Sequence, residues 1–332
     1  MDNIEILNFD INDSNNNFFS VLDNYGEDLT KKPYITNPAI AREDEIKKLI
    51  IVLLTPDKSG ILVGKTGIGK TAIVEGLAYL IEKDEVPNVL KGYRIIKLNS
   101  TSLTGKTTIN NREEPVLTLL VDELKKVKKT IVFIDEIHTL IGGSGDGPMD
   151  LANMLKPALD RGDIKVIGAT TTIEYNTYVI KDRAFLRRFE KIDVLEPDEK
   201  TTVQILTKSL RKIEKQTGIK FKYNDYVAEK LIESIVSATS EFKRVYGLSA
   251  MYPDVAFSVL TAAFSNALFK NKNVVEIDDV YNAIKTSKRI YPDSIVKELK
   301  IFKEKFKDML KEENITLPDV TIEEIENVGS DF

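Results

Sequence analysis

Residues 61–80 read ILVGKTGIGKTAIVEGLAYL, and this stretch decides the fold. Its first three residues are apolar and predict a short buried strand. A glycine-rich turn follows, and apolar residues then recur at helical spacing. The turn, Gly64 to Thr71, fits the pattern G-x-x-x-x-G-K-[ST] at every fixed position. Because a strand precedes the turn and a helix follows it, we predict a loop that binds phosphate groups.

Each fixed position of this loop has a chemical reason. Gly64 and Gly69 let the backbone adopt conformations that a Cβ would forbid, so that N–H groups can surround phosphate oxygens at a helix N-terminus. Lys70 supplies a cation for the β- and γ-phosphates, and the Thr71 hydroxyl can bind Mg²⁺. The predicted cofactors are therefore ATP and Mg²⁺. The residues expected to hold the nucleotide are Gly64, Lys65, Thr66, Gly67, Ile68, Gly69, Lys70, Thr71 and Ala72.

The composition fits a globular protein of two domains. The chain has 332 residues, 42% of them hydrophobic, which can fill a sizeable core at ~150 residues per domain. There are no cysteines, so disulfides, thiolate nucleophiles and Cys-based metal sites are excluded. No apolar leader follows the N-terminus and no run of about 18 apolar residues occurs, so we expect a cytoplasmic protein with no membrane partner. The net charge of −5, with both signs mixed, disfavours a broad nucleic-acid surface.

Strand and helix patterns alternate through residues 33–197, which predicts a three-layer α/β domain with a parallel sheet. After Pro197 the pattern is almost entirely helical, so residues 198–290 are expected to form a second, smaller domain. Residues 291–313 have the apolar stripe of an amphipathic helix, which packs either on the helical domain or on a neighbouring subunit.

The two ends of the chain lack a sustained period. Residues 1–32 are rich in Asn and Asp and are expected to be a flexible arm. Within the arm, the apolar residues Phe18, Phe19, Val21 and Leu22 either dock a partner or rest on the α/β domain. Residues 314–332 are acidic and are expected to be a loosely held tail.

Hydrolysis of a bound nucleotide needs a carboxylate near the metal ion and a group that activates water. The run IVFIDE, residues 131–136, is an apolar strand that ends in two acids. This places Asp135 at the carboxyl edge of the sheet, where it can hold Mg²⁺ through water, and Glu136 beyond it as the general base. The only histidine, His138, is interpreted as a structural hydrogen-bonding residue rather than a second base.

Two further pairs are candidates. Thr170 and Thr171 end the next strand, and either hydroxyl could sense the γ-phosphate and orient water, unless the pair is an ordinary strand end. Arg187 and Arg188 lie on a short predicted helix. They are either a solvated face or guanidinium groups that act in trans on the γ-phosphate bound by a neighbouring subunit.

With these motifs in place, the chain resembles the first ATPase module of the two-ring Clp unfoldases (the ClpA, ClpB and ClpC group) of the AAA+ superfamily. The resemblance covers about residues 25–290, and it implies a stand-alone single module. The similar segments start at Asn37, Gly69, Phe133, Met149 and Leu186 and read NPAIAREDEI, GKTAIVEGLA, FIDEIHTLIGG, MDLANMLKPALDRGDIKVIGATT and LRRFEKIDVLEP.

The resemblance implies a doubly wound parallel sheet with a helical lid, and a homo-oligomeric ring, usually of six subunits, with nucleotide held between subunits. A mixed ring stays possible. The roles that it assigns are Mg²⁺ binding to Asp135, catalysis to Glu136, sensing to Thr171 rather than Thr170, action in trans to Arg187 and Arg188, and adenine contact to Ile40.

The chain also departs from the family pattern. Residues 105–112, GKTTINNR, contain no aromatic residue where such modules carry an aromatic loop that grips polypeptide, which weakens the case for processive threading. Ala41 stands where a glycine is typical. The segment Tyr252 to Val255 lacks the lysine of the family's lid motif.

Three functions follow, in order of preference. The first is an ATP-hydrolysing ring that remodels, disassembles or translocates a protein client. The second is an ATP-dependent assembly scaffold or switch that does not thread its partner. The third is a nucleic-acid motor or loader, which the acidic net charge disfavours.

Overall fold

The computed structural model describes residues 20–103, 105–109, 112–141, 164–247 and 251–328. The chain forms two compact units. The first comprises the described residues up to Gly64 and from Lys70 to Val194, and the second comprises residues 65–69 together with those from Leu195 onward. No helix in the described ranges combines the length and the apolar character needed to cross a bilayer.

The first unit is built on a six-stranded sheet, whose order is β1-β3-β6-β7-β2-β8. Strand β1 runs antiparallel to β3, and the other neighbours are parallel, as the alternating sequence pattern predicts. Strands β4 and β5 form a separate antiparallel hairpin. The strands are β1 (Gly26–Asp28), β2 (Ser59–Val63), β3 (Arg94–Asn99), β4 (Lys106–Ile109), β5 (Arg112–Pro115), β6 (Thr130–Asp135), β7 (Lys165–Thr170) and β8 (Phe189–Asp193).

The strand order creates a crevice at one edge of this sheet. From β2 the chain crosses towards β3, whereas from β7 it crosses in the opposite direction to β8. Ligands of open α/β sheets bind where the crossing direction reverses, outside the carboxyl ends of the strands. The turn that follows β2 therefore lies where this architecture places a ligand.

Along the chain, the helices of the first unit alternate with these strands. Every residue of β2 is buried, as are the four apolar residues at the centre of β6, so continuous apolar runs mark strands covered on both faces. The sequence also predicts a helix at residues 149–159, which lies outside the described residues. The described helices are α1 (Val21–Tyr25), α2 (Glu43–Leu54), α3 (Lys70–Glu82), α4 (Ser100–Leu103), α5 (Val116–Leu124), α6 (Thr172–Thr177) and α7 (Arg183–Leu186).

The predicted flexible arm is folded from Ser20 onward. The buried Glu123 carboxylate on α5 accepts hydrogen bonds from Ser20 Oγ at 2.5 Å and from the backbone N of Val21 and Leu22 at 2.7 and 3.2 Å. Val21 and Leu22 join the hydrophobic core, and β1 extends the sheet. The apolar contact with the α/β domain is thus present, and the arm boundary at residue 32 was wrong. Phe18 and Phe19 lie outside the described residues.

The second unit is helical, as predicted. Its only regular sheet among the described residues is the parallel pair β9 (Lys220–Phe221) and β10 (Val274–Val275). The sequence also indicates a short strand at residues 274–276, where β10 lies. The helices are α8 (Glu199–Thr217), α9 (Asp225–Ala238), α10 (Asp254–Phe269), α11 (Ile277–Lys285), α12 (Pro292–Lys305), α13 (Lys307–Glu312) and α14 (Ile322–Val328).

The C-terminal region is more ordered than its sequence indicates. The single amphipathic helix predicted within residues 291–313 is two helices, α12 and α13, and the buried Phe302 packs edge-to-face on Tyr281 of α11 at 5.9 Å between ring centroids. The tail predicted to be loose also packs on this unit. The Tyr281 hydroxyl donates to the Pro318 carbonyl at 2.6 Å, and Val320 and Ile325 are buried.

Candidate functional site

The loop between β2 and α3 has the backbone geometry of a phosphate cradle. Gly67 and Gly69 have φ angles of +79° and +97°, in the left-handed region that glycine adopts without strain. Gly69 thus has a backbone conformation that a Cβ would disfavour, as the sequence predicts. The other positive φ of the loop is at Gly67 rather than at Gly64. The Ile68 side chain is buried.

Lys70 begins α3 with its ammonium group held over the loop. Its Nζ donates to the Gly64 carbonyl at 2.7 Å. Burial lowers the pKa of Lys70, and the negative charges of Asp135, Glu174 and Glu136 oppose that shift. The side chain therefore lies in a partly desolvated, acidic environment, where a cation interacts strongly with an anionic ligand.

Two oxygen ligands meet beside Lys70. Thr71 Oγ1 donates to Asp135 Oδ2 at 3.0 Å, which joins the first turn of α3 to the carboxyl end of β6. A hydroxyl and a carboxylate are oxygen donors of the kind that Mg²⁺ prefers, and Mg²⁺ in nucleotide sites needs only one or two protein ligands. The residues present therefore fit the ion that the sequence predicts.

Glu136 has an unusual backbone. Its φ and ψ are +52° and +42°, in the left-handed region that costs a non-glycine residue about 1–2 kcal/mol. Its N–H donates to Asp135 Oδ1 at 3.1 Å, and its carbonyl accepts from Thr139 N and Oγ1 at 3.0 and 2.9 Å. These bonds hold a strained turn that presents an exposed carboxylate, and such strain is concentrated at functional sites.

The two threonines at the end of β7 differ in their contacts. Thr170 is 2% exposed and its Oγ1 hydrogen-bonds His138 Nδ1 at 2.9 Å, which supports the structural interpretation of His138. Thr171 is half-buried and caps α6, accepting from Glu174 N at 3.4 Å. Because β7 lies beside β2, Thr171 stands next to the start of the phosphate loop.

Arg187 and Arg188 lie at the opposite edge of the sheet. Ser59, the first residue of β2, donates its N–H to the Arg188 carbonyl at 2.8 Å, whereas the phosphate loop follows the other end of β2. A strand of this length spans about 17 Å. The two arginines and the phosphate loop of one chain are therefore not brought together.

The segment that carries Ile40 packs against α3. Ala39 is buried against Gly76, where an added Cβ would come within 2.2 Å of the Ala39 Cβ, so this helix position requires glycine. Ala39 N donates to Asn37 Oδ1 at 2.9 Å. Ala41 has a φ of +55°, which explains why a glycine suits this position. The adenine contact of Ile40 stays a prediction.

Two residues near the site were missed by the sequence analysis. Asn99 lies opposite Asp135 in the register of β3 and β6. Glu174 has a buried carboxylate oxygen, Oε2, that has no hydrogen-bond partner among the described residues. The spacing of Thr171 and Glu174, T-x-x-E, is a helix-start signal that could have drawn attention to Glu174.

The segment expected to correspond to an aromatic loop forms the β4–β5 hairpin. Its strands pair Lys106 with Pro115 and Thr108 with Glu113, and Lys106 forms an exposed ion pair with Glu113 at 3.3 Å. The described residues of this hairpin are polar or aliphatic. Asn110 and Asn111 lie outside the described residues.

A glycine-rich phosphate cradle follows β2, and lysine, hydroxyl and carboxylate groups lie at the carboxyl edge of the same sheet. This combination is typical of the P-loop nucleoside triphosphatase class. Residues 60–196 match the family model described as "ATPase family associated with various cellular activities (AAA)". The chain therefore carries a single AAA ATPase module, which is related to the ClpB, ClpC, ClpE and Hsp104 proteins.

Individual relatives show how far the similarity extends. Chaperone protein ClpB of Pseudomonas putida is 37% identical over 78% of this chain and 30% of its own length. The ClpE ATP-binding subunit of Bacillus subtilis is 38% identical over 78% of this chain and 36% of its own length. The Saccharomyces cerevisiae Hsp104:casein complex has a TM-score of 0.67 at 32% identity, covering 83% of this chain and 47% of that one. The chain thus spans about a third of the curated relatives and about half of the solved one.

Proposed function

We propose that this module hydrolyses ATP in a homo-oligomeric ring of about six copies and uses the energy to remodel a protein client. The observation that carries the catalytic part is the 3.0 Å contact between Thr71 and Asp135, with Lys70 beside it and Glu136 on the adjoining strained turn. This arrangement joins a cation, two metal-binding oxygens and a candidate base at one edge of the sheet. We take residues 33–197 as the α/β domain and residues 198–290 as the lid.

Each group has a separate task in this proposal. Lys70 binds the β- and γ-phosphates, and the loop N–H groups orient them. Thr71 and Asp135 hold Mg²⁺, which neutralises phosphate charge when it is bound. Glu136 accepts the proton of the attacking water, and Thr171 orients that water.

The position of Arg187 and Arg188 supports action in trans. In one chain they lie about 17 Å along the sheet from the phosphate loop, beyond the reach of a side chain. A neighbouring copy can bring its arginines to this loop, where a guanidinium stabilises the charge of phosphoryl transfer. Hydrolysis would then depend on assembly.

Client remodelling is supported by similarity to proteins described as chaperones and as a casein complex. One observation favours a second candidate, an ATP-dependent scaffold or switch. The β4–β5 hairpin replaces the expected aromatic loop with polar and aliphatic residues in its described part. Unfolding of a fluorescent folded protein during ATP turnover would support remodelling, whereas ATP-driven assembly without unfolding would support the switch.

The catalytic proposal is tested by steady-state phosphate release. Glu136→Gln keeps the size of the side chain but removes its basicity, so kcat should fall about 10²- to 10⁴-fold. Binding of a fluorescent ATP analogue should be retained, because the cradle is unchanged. Glu82→Gln, at the exposed end of α3, is the matched control and should match the wild type. An unchanged kcat in Glu136→Gln would contradict the assignment.

A further inference from the structure

Glu174 carries a carboxylate in which one oxygen receives no hydrogen bond from the described residues. Its backbone N–H is used by the Thr171 cap at 3.4 Å, but its Oε2 is buried and has no hydrogen-bond partner in the described part of the chain. A buried carboxylate oxygen without a donor is unfavourable, so the group calls for a donor from elsewhere. The negative charge of Glu174 acts on Lys70, so Glu174 lies at the carboxyl edge of the sheet, where Lys70 is found.

Three apolar side chains close to Glu174 in sequence are exposed, among exposed polar side chains such as Thr172 and Asn176. Ile173, Tyr178 and Ile180 are 76%, 45% and 49% exposed, and they flank Glu174 on α6 and the turn that follows. Exposed apolar side chains grouped around a polar group are typical of protein–protein interfaces. The missing donor is therefore expected from a protein surface rather than from solvent.

Arg187 has the complementary property. It is exposed, and its guanidinium contacts no acidic group among the residues that the structure describes. It lies at the amino edge of the sheet, whereas Glu174 follows the carboxyl end of β7, so the two cannot meet within one chain. Arg183 and Lys181 are also exposed close to Arg187 in sequence, along with the acidic Glu190, whereas the edge that holds Asp135, Glu136 and Glu174 is acidic.

We propose that Glu174 binds the Arg187 guanidinium of a second copy of this chain. A bidentate arginine–carboxylate pair is strong and fixes orientation. Glu174 would thus be a positioning residue: it anchors one arginine of the neighbour and directs the adjacent Arg188 to the phosphate loop. This inference rests on the proposed ring, and it gives the two consecutive arginines different partners.

The absence of cysteine from the chain allows a direct proximity test. Glu174→Cys protein is mixed with Arg187→Cys protein, each in the Glu136→Gln background, and treated with ATP and a bismaleimide. This reagent suits a Glu–Arg separation better than a disulfide, which needs Cβ atoms about 4 Å apart. We expect a cross-linked heterodimer on denaturing gels. Asp122→Cys, exposed on α5, replaces Arg187→Cys as the control and should give little product. Equal yields from the two mixtures would overturn the pairing.

A double-mutant cycle separates a direct pair from a structural effect. Glu174→Gln and Arg187→Ala should each raise the protein concentration needed for ATP-dependent assembly about tenfold, and the double variant should be no worse than either single variant. Arg187 and Arg188 follow the end of α7 rather than lying on the predicted short helix. Arg183→Ala, on α7, should assemble as the wild type does. Additive losses would overturn the pairing, as would a cycle in which Glu174 couples to Arg188 instead.

Failure of this pairing is distinguishable from failure of the proposed function. If the wild type hydrolyses ATP and assembles but the cross-link and the coupling are absent, only the Glu174–Arg187 contact is wrong. If the wild type neither assembles nor depends on Glu136 for turnover, both inferences are overturned.

Discussion

Ala41 and Glu136 are two non-glycine residues with φ angles of +55° and +52°. At Glu136 the strained turn presents a carboxylate beside Asp135, so the energetic cost accompanies the proposed catalytic role of this residue. At Ala41 the side chain is a methyl group that offers no chemistry. The same backbone strain therefore accompanies a proposed catalytic group at Glu136 but no reactive group at Ala41.

Ala41→Gly should stabilise the first unit. The substitution removes the left-handed strain of about 1–2 kcal/mol. The greater conformational entropy of glycine in the unfolded chain offsets up to about 1 kcal/mol of that gain. We expect a net increase of about 0.5–1 kcal/mol in the free energy of unfolding, measured in urea. Ala39→Gly, two residues earlier and buried, should destabilise the same unit. A loss of stability in Ala41→Gly would contradict the strain argument.

The placement of the candidate site residues at one edge of the sheet was largely predictable from sequence because their spacing is local. Gly64 to Thr71 form one loop, and Asp135 and Glu136 end one strand. Gly67 was not singled out because the pattern leaves that position free, although the backbone needs a positive φ there. Glu174 was not singled out because the observation that marks it, a carboxylate oxygen with no hydrogen-bond partner among the described residues, is recorded by no local pattern.

The helices and strands that were hardest to predict are those stabilised by residues far away in sequence. Helix α1 and strand β1 depend on Glu123, about a hundred residues away, so the Asn- and Asp-rich composition of the surrounding segment gave the wrong expectation. By contrast, α3 and β6 carry their own periodicity and were predicted within one or two residues. The C-terminal tail folds because Tyr281 and its neighbours offer a surface that the tail's own sequence does not reveal.

Glu123→Ala should release α1 and β1 from the sheet. The change removes three hydrogen bonds to one buried carboxylate and leaves two backbone N–H groups without acceptors, a loss of about 3 kcal/mol. Hydrogen exchange at Val21 and Leu22 should accelerate before the rest of the unit opens. Asp122→Ala, an exposed neighbour on α5, should leave these rates unchanged. Protected amides in Glu123→Ala would show that the glutamate does not anchor this segment.

The start of α11 should make the second unit sensitive to acid. Hydrogen bonds from Lys222 and Lys272 lower the pKa of Glu276 below its ordinary value of 4.5. The ionised form therefore stabilises the fold above pH 4.5, and this contribution is lost as the pH falls through the lowered pKa. Glu276→Gln should reduce the pH dependence of unfolding in that acid range.

The control for this acid effect is Glu229→Gln on α9. Glu229 is exposed and forms no ion pair among the described residues, so its variant should keep the wild-type pH dependence. If the free energy of unfolding depends on pH in the same way in the wild type and in Glu276→Gln, the lysine contacts do not determine the acid sensitivity.

At the scale of the whole molecule, the two halves of the proposed catalytic machinery lie at opposite edges of one sheet. Lys70, Thr71, Asp135 and Glu136 are at the carboxyl edge, and the arginine pair is at the amino edge. Copies placed edge to edge in a ring would complete each site with a neighbour's arginines. The family resemblance indicated this arrangement, and the sheet register supplies an independent physical reason for it.

The most direct test of that claim mixes two inactive variants. Glu136→Gln retains its arginines, and a double Arg187→Ala, Arg188→Ala variant retains its phosphate loop and base. If the arginines act in trans, mixing the two should restore ATP turnover, because some sites combine an intact loop with an intact neighbouring pair. If catalysis is completed within one chain, the mixture should show only the summed residual rates of the two variants, and the account would be wrong.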